Sequence, residues 1–279
     1  MLKYNSLCKG NRFFVSLRKI YRRLKEIFIT NTPNMQRLLS ILLAILLALP
    51  SMGAESADSI AVESNFKAGE VIMPLTLIGA GTLGFVEPLK NARYEVRDFL
   101  HEWRGDHRTA IDDHLQYVPL GAVYGLSLLG ADAKHNYVDR TLELATAYVA
   151  LGGIVNAIKY TVREPRPDGS ANNSFPSGHT ATTFMGAELV RIEYGDDSPW
   201  YSVGAYTAAI TVGVLRVYNN KHWFTDVFAG AGVGILSARI GYWMLPYTRK
   251  FMHKLTGLDA FVYPAVSDRS AAVGLSLRF

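Results

Sequence analysis

Residues 159–190 read KYTVREPRPDGSANNSFPSGHTATTFMGAELV, and how this stretch divides decides the fold. Its middle, residues 164–178, carries Pro165, Pro167 and Pro176 together with Gly169 and Gly178. Proline lacks a backbone N–H and restricts the residue before it, so this segment is a loop. The flanks differ in kind. Residues 144–158 hold no charged side chain, and Thr180–Val190 is small and apolar apart from Glu188. Two helices joined by a polar, charge-gathering loop is the simplest reading.

Working outward, the same texture recurs. Low-charge stretches rich in Ala, Gly and Leu cover Val71–Val86, Leu115–Ala131, Ser198–Leu215 and Val227–Ala238, with little strict alternation. Residues 92–113 mix acids and bases with Phe99, Leu100 and Trp103 at helical spacing, the pattern of an amphipathic surface helix. The fold class is therefore all-α, a bundle of about six helices. Only the last twenty residues depart from it. Val273, Leu275, Leu277 and Phe279 alternate with small or polar residues, which predicts a short strand, or a hairpin with Phe261–Val266. Pro264 excludes a central place in a sheet.

The domain layout follows from composition. The 279 residues are 49% hydrophobic and 19% charged, with mean hydropathy +0.10, which excludes a disordered chain. The net charge is +5, but residues 1–34 hold eight Lys/Arg against Glu26 alone, so the other 245 residues carry −2. No basic stripe remains to follow a nucleic acid. Cys8 is the single cysteine, which excludes disulfides, Cys-ligated zinc and a cysteine nucleophile in the rest. Residues 35–54 run from Met35 through the aliphatic Leu38–Leu49 to Gly53 and Ala54, the pattern of a signal peptide or membrane anchor. The basic residues 1–34 either precede a true start at Met35 or form an amphipathic membrane-surface segment. Residues 55–69 read as a linker, 70–250 as the helical domain and 251–279 as a tail.

The membrane question stays open at this level. No uncharged run reaches the roughly 20 residues of an unbroken span, since Glu143, Lys159, Glu188 and Arg239 intervene. A soluble bundle tolerates these, and so does a multi-pass protein whose charges face a polar site. The Gly and Ala content suits close helix packing in lipid.

Three blocks carry chemistry. Lys159 and Arg166 form the first, Pro176-Ser177-Gly178-His179 the second, and Arg216, His222 and Asp226 the third. Guanidinium forks match the oxygens of phosphate, and Lys adds a point charge. Ser177-Gly178 opens a helix whose free N–H groups make an anion seat, with Gly178 allowing close approach. His222 and Asp226 are four apart, hence on one face of a helix that has begun there. The carboxylate then takes one ring N–H and leaves the other nitrogen for attack, while His179 donates a proton. This is the apparatus of phosphoryl transfer through a histidine, with a bell-shaped pH profile of kcat/KM.

The three blocks resemble the signature of the type 2 phosphatidic acid phosphatase (PAP2) superfamily, over roughly Lys159 to Gly230. That superfamily includes lipid phosphatases, bacterial nonspecific acid phosphatases and vanadate haloperoxidases. The resemblance implies metal-independent phosphate hydrolysis without a cofactor. His222 is then the nucleophile oriented by Asp226, His179 the acid, and Lys159, Arg166, Ser177, Gly178 and Arg216 the phosphate holders. One departure is Leu215, where the family usually has Ser before the arginine.

Each residue also has a bland reading, His179 as a structural histidine and Arg166 as a solvated loop charge. Only their joint spacing outweighs these readings. His101, His107, His114 and His135 are expected in solvent without metal partners. Arg163 and Lys221 are ambiguous, and Trp200, Trp223, Trp243 and Tyr247 fit interfacial anchoring and core packing equally. The expected activity is a phosphatase for a phospholipid, polyprenyl or lipid A-like phosphate, in a bacterial envelope membrane with its site on the outer, periplasmic side. The alternatives are a soluble exported acid phosphatase, a vanadate haloperoxidase and a non-catalytic membrane scaffold.

Overall fold

The computed structural model describes residues 66–256 and the backbone of 259–267 and 270–278. The basic leader, the expected signal segment and most of the linker lie outside the described residues. After a 3-10 turn at Ala68–Val71 come α1 (Ile72–Thr82), a second turn at Leu83–Phe85, α2 (Leu89–Arg104) and α3 (Ile111–Leu115). Then follow α4 (Val118–Leu128), α5 (Tyr137–Val162), α6 (Gly178–Tyr194), α7 (Pro199–Tyr218) and α8 (Phe224–Thr256). The all-α expectation holds for this part.

Helix α8 is the hub, and its small residues explain why. A Cβ added at Gly234 would lie 2.2 Å from the Ala181 carbonyl oxygen on α6, and one at Gly241 would lie 2.5 Å from that of Glu143 on α5. Backbones in such contact leave no room for a side chain, so α8 approaches both neighbours most closely at its glycines. A buried polar knot ties α4, α5 and α6: Arg140 Nη1 donates to Val123 O at 2.7 Å, to Ser127 Oγ at 2.8 Å and to Tyr194 OH at 2.7 Å. A guanidinium spread over three acceptors meets the demand that buried charge be hydrogen-bonded.

Several boundaries differ from the sequence reading. Helix α5 starts seven residues before the uncharged stretch, because the Asn136 side chain caps it, accepting from Val138 N at 2.9 Å and Asp139 N at 3.1 Å. Helix α8 runs past Arg239 and Pro246 to Thr256, beyond the expected domain end at 250. The amphipathic helix expected over 92–113 stops at Arg104, where Gly105 takes φ +57°. Strands β1 (Asp259–Ser267) and β2 (Ser270–Arg278) form the expected antiparallel hairpin, with Pro264 opposite Val273. In a two-stranded sheet every strand is an edge, which is where proline is tolerated.

This architecture brings the C-termini of α5 and α7 and the N-termini of α6 and α8 to one end of the bundle. Helix α2 is fastened beside that end by a buried Arg93–Glu164 ion pair at 2.9 Å. The Arg93 guanidinium also sits 4.7 Å from the Trp223 ring centroid. Phe99 and Trp103 on α2 remain exposed.

Candidate active site

The loop between α5 and α6 is held closed by its own backbone: Ser174 N donates to Glu164 O at 2.8 Å and Arg166 N to Ala171 O at 2.9 Å. Asn173 joins the first-block cations. Its carbonyl accepts from Lys159 Nζ, and its Oδ1 accepts from Arg166 Nε at 2.8 Å. Arg163 instead ends α5 in the left-handed region at φ 52° and stays exposed, so it is no part of this grouping. Lys221 is also taken elsewhere, paired with Asp168 at 2.8 Å. Burial would raise the Asp168 pKa, but hydrogen bonds from Lys221 and Ser170 win and hold it at about 2.

Helix α6 begins where expected. Ser177 is its N-cap, with Oγ accepting from Thr180 N at 3.4 Å and meeting Thr180 Oγ1 at 2.9 Å. Its hydroxyl is thus engaged in the cap, and its own N–H donates to Asp226 O at 3.0 Å. A Cβ built on Gly178 would meet nothing within 4 Å, so the seat in front of the helix is open. His179 sits half-buried in the first turn, with Nε2 3.0 Å from Asp113 Oδ1. Burial and the Arg216 charge lower its pKa from 6.5, against the opposing hydrogen bond to Asp113.

Arg216 is buried at the end of α7, its Nη1 2.7 Å from Asp112 Oδ2 and 3.5 Å from Asp113 Oδ1. Asn219 Nδ2 donates to the other Asp112 oxygen at 2.9 Å. The arginine is therefore positioned from α3, and the Leu215 side chain enters none of these bonds. The Arg216 carbonyl in turn accepts from His222 N at 3.3 Å, which folds the third block back on itself.

His222 is only 2% exposed, but it is not on the helix, which begins at Phe224. The four-residue helical argument therefore fails in its literal form. His222 Nδ1 stands 3.6 Å from Asp226 Oδ2, beyond hydrogen-bond reach, and 3.4 Å from Ser174 Oγ. Ser174 Oγ donates to Asp226 Oδ2 at 2.5 Å, and Trp223 N donates to the same oxygen at 3.0 Å. Asp226 thus anchors both the first turn of α8 and the serine beside the imidazole. Burial, then the charges of Lys159, Arg216 and Arg166, push the His222 pKa well below 6.5, against a hydrogen bond to the Ser174 backbone. An imidazole kept neutral under three cations is suited to act as a nucleophile rather than as an acid.

Sequence reasoning missed Asp112, Asp113, Asn173, Ser174 and the Arg93–Glu164 pair. Asn173 and Ser174 lie within the quoted loop and were open to suspicion by position. Asp112 is 104 residues from Arg216, and no local pattern links them. The remaining expectations divide. His101, His107 and His114 are exposed as expected, whereas His135 is not, its Nδ1 lying 2.7 Å from Glu193 Oε1. Trp200 is exposed, whereas Trp223 and Trp243 are buried.

The family model of the PAP2 superfamily matches residues 140–250. A protein named lipid A 1-phosphatase from Porphyromonas gingivalis is 43% identical over 171 residues, 61% of this chain and 37% of that protein. The bacitracin transport permease protein BcrC of Bacillus licheniformis is 33% identical over 87 residues, 31% of this chain and 40% of that one. The chain thus spans about two fifths of the length of these curated relatives. Among solved structures, Aquifex aeolicus LpxE is 20% identical, with TM-score 0.40 over 52% of this chain and 92% of that one. A transmembrane PAP2 type phosphatidylglycerolphosphate phosphatase from Bacillus subtilis is 15% identical, with TM-score 0.41 over 67% and 97%.

Proposed function

From the match of residues 140–250 to the PAP2 superfamily model, we propose that the chain is a phosphatase for a lipid-linked phosphate, acting through a phosphohistidine. The observation that carries this is His222, buried and neutral, with its Nδ1 face turned to Ser174 and three cations around it. Nδ1 faces the Ser174 hydroxyl, whose own proton goes to Asp226 and which accepts the ring proton in turn, leaving the Nε2 lone pair for attack on phosphorus.

His222 Nε2 bonds to phosphorus as the bond to the leaving oxygen breaks, and protonated His179 gives that oxygen its proton. Water then adds to phosphorus, His179 takes back a proton, and the P–N bond breaks to release inorganic phosphate. Lys159, Arg166, Arg216 and the N–H groups at Ser177-Gly178 offset charge that grows on the phosphoryl oxygens. Asp113 and Asp226 position the two imidazoles.

A lipid substrate is supported by the surroundings. A cavity of about 830 Å³ lies between α1, α6, α7 and α8, and its lining includes Val217 and Val227, which follow Arg216 and Asp226 in the chain. Its walls are largely apolar side chains, suited to an acyl chain. The kinship with the lipid A 1-phosphatase favours a phosphorylated glycolipid over a simple phosphatidate. Membrane embedding draws on Ala68–Phe85, Tyr137–Val162 and Phe224–Leu255, which are long and apolar enough to cross. Exposed Val149, Val203, Ile210 and Val214 give the bundle an apolar outer face. The export signal read in residues 35–54 supports a site on the outer, periplasmic side.

Phosphate release from lipid A, phosphatidate, phosphatidylglycerol phosphate, a polyprenyl pyrophosphate and a soluble aryl phosphate tests the reading in wild type and His222→Ala. Lipid phosphates are expected to react faster than the soluble ester, and the variant to lose about 10⁴-fold or more. A variant that keeps its rate removes the phosphohistidine, and preference for the soluble ester removes the lipid assignment.

A further inference from the structure

The end of the bundle opposite the imidazoles holds a second constellation. His135 stands just before α5, Glu143 lies two turns into that helix, and Glu193 lies at the end of α6. Sixteen residues separate Glu143 from Lys159 on one helix, about 24 Å at 1.5 Å per residue, so this grouping is remote from the phosphate seat. His135 Nδ1 is 2.7 Å from Glu193 Oε1 and 3.8 Å from Glu143 Oε2. One donor atom from each of the three residues falls within 4.8 Å of the others.

Glu143 demands an explanation. It is 1% exposed, and neither carboxylate oxygen meets a hydrogen-bond donor among the described residues. A buried ionised carboxylate without a donor is among the costliest arrangements a fold can hold. Its neighbour is a second buried carboxylate, Glu193, which makes matters worse. Glu193 has support of its own: Oε2 accepts from His135 N at 3.0 Å. The nearest cation, Lys134, directs its Nζ to Tyr242 OH at 2.9 Å. Two buried carboxyl groups facing one imidazole must either share a proton or take up a cation, and a dication bound to both would satisfy them.

We propose that His135, Glu143 and Glu193 form a binding site for a divalent first-row transition metal, zinc in particular. Donor atoms around tetrahedral zinc at about 2.0–2.1 Å lie about 3.4 Å apart, and the separations from His135 Nδ1 straddle that value. One imidazole with two carboxylates suits zinc better than magnesium or calcium, which take oxygen alone. The side chain of His135 is 13% exposed, so water reaches the open side and supplies a fourth ligand. The second oxygen of Glu193, held by the His135 backbone, gives the outer support that metal ligands require. Its role is structural: the ion clips the segment before α5 onto the end of α6.

The test uses the full chain purified in detergent, stripped with EDTA, freed of chelator and titrated with zinc chloride against an indicator dye. One zinc per chain is expected, with a rise in Tm. Glu143→Gln and Glu193→Gln are each expected to weaken binding at least about 10-fold. His222→Ala should bind zinc as wild type does, which keeps this result separate from the fate of the phosphatase reading. Should Glu143→Gln not fold, His135→Asn at the water-facing edge reads the same loss. A wild-type chain that takes up no zinc overturns the proposal and leaves the carboxylates sharing a proton. Equal binding by folded Glu193→Gln or His135→Asn also overturns it.

Discussion

The Asp113 carboxylate lies 3.0 Å from Nε2 of His179, the nitrogen proposed to protonate the leaving oxygen. Asp113 is carried by a five-residue helix and its side chain is 55% exposed, so it can withdraw as substrate enters. In the free protein it opposes, without overcoming, the lowering of the His179 pKa by burial and Arg216. Replacing it by Asn therefore lowers the His179 pKa further. The alkaline limb of kcat/KM in Asp113→Asn should move to lower pH, with a loss of activity above it. An unmoved limb would show that Asp113 serves only the fold.

The wild-type profile should be bell-shaped and displaced to acid. His222 is held well below 6.5, so it stays neutral until the pH is far under the ordinary imidazole value. His179 is also lowered from 6.5, and it loses its proton as pH rises through that lowered value. The product of the two protonation states therefore peaks below pH 6.5 in kcat/KM, which reports the free protein. An optimum on the alkaline side would refute this assignment of acid and base.

Ser174→Ala removes the hydroxyl between His222 and Asp226 while keeping both. The imidazole then loses its lateral support, and the expected result is a fall in kcat of about 10- to 100-fold with little change in KM. Steady-state kinetics separates the two quantities. A pure rise in KM would mean that the serine holds substrate instead.

Glu164→Ala should cost stability rather than chemistry. It strands the Arg93 guanidinium, whose side chain is 3% exposed, and breaking such a buried pair costs about 3–5 kcal/mol. Thermal unfolding in detergent should show a clear drop in Tm. Substituting both partners by apolar residues should recover much of it. If the double variant is no better than the single one, the pair does more than balance charge.

Sidedness is accessible because Cys8 is the single cysteine. With Cys8 replaced by Ser, Asn172→Cys places a thiol on an exposed part of the loop. A membrane-impermeant maleimide should label it in intact cells, as an outer-facing site requires. Labelling only after the inner membrane is broken would put the site on the cytoplasmic side.

The sequence alone was enough for the helical texture, the proline-bearing loop at 164–178, the helix start at Ser177-Gly178 and the C-terminal hairpin. Each follows from local rules: hydrophobic spacing, a missing N–H, a capping hydroxyl, alternation. It also brought Lys159, Arg166, His179, Arg216 and His222 under suspicion, because they cluster at element ends along the chain. What joins His222 to Asp226 differs from the expectation, since the link runs through the Ser174 hydroxyl rather than along a helix face. Asp112 and Asp113 for Arg216 and His179, Arg93 for Glu164, and Glu143 and Glu193 for His135 were decided by tertiary structure alone. A buried charge must find its partner wherever the fold brings one near, and chain separation leaves no local trace of that choice.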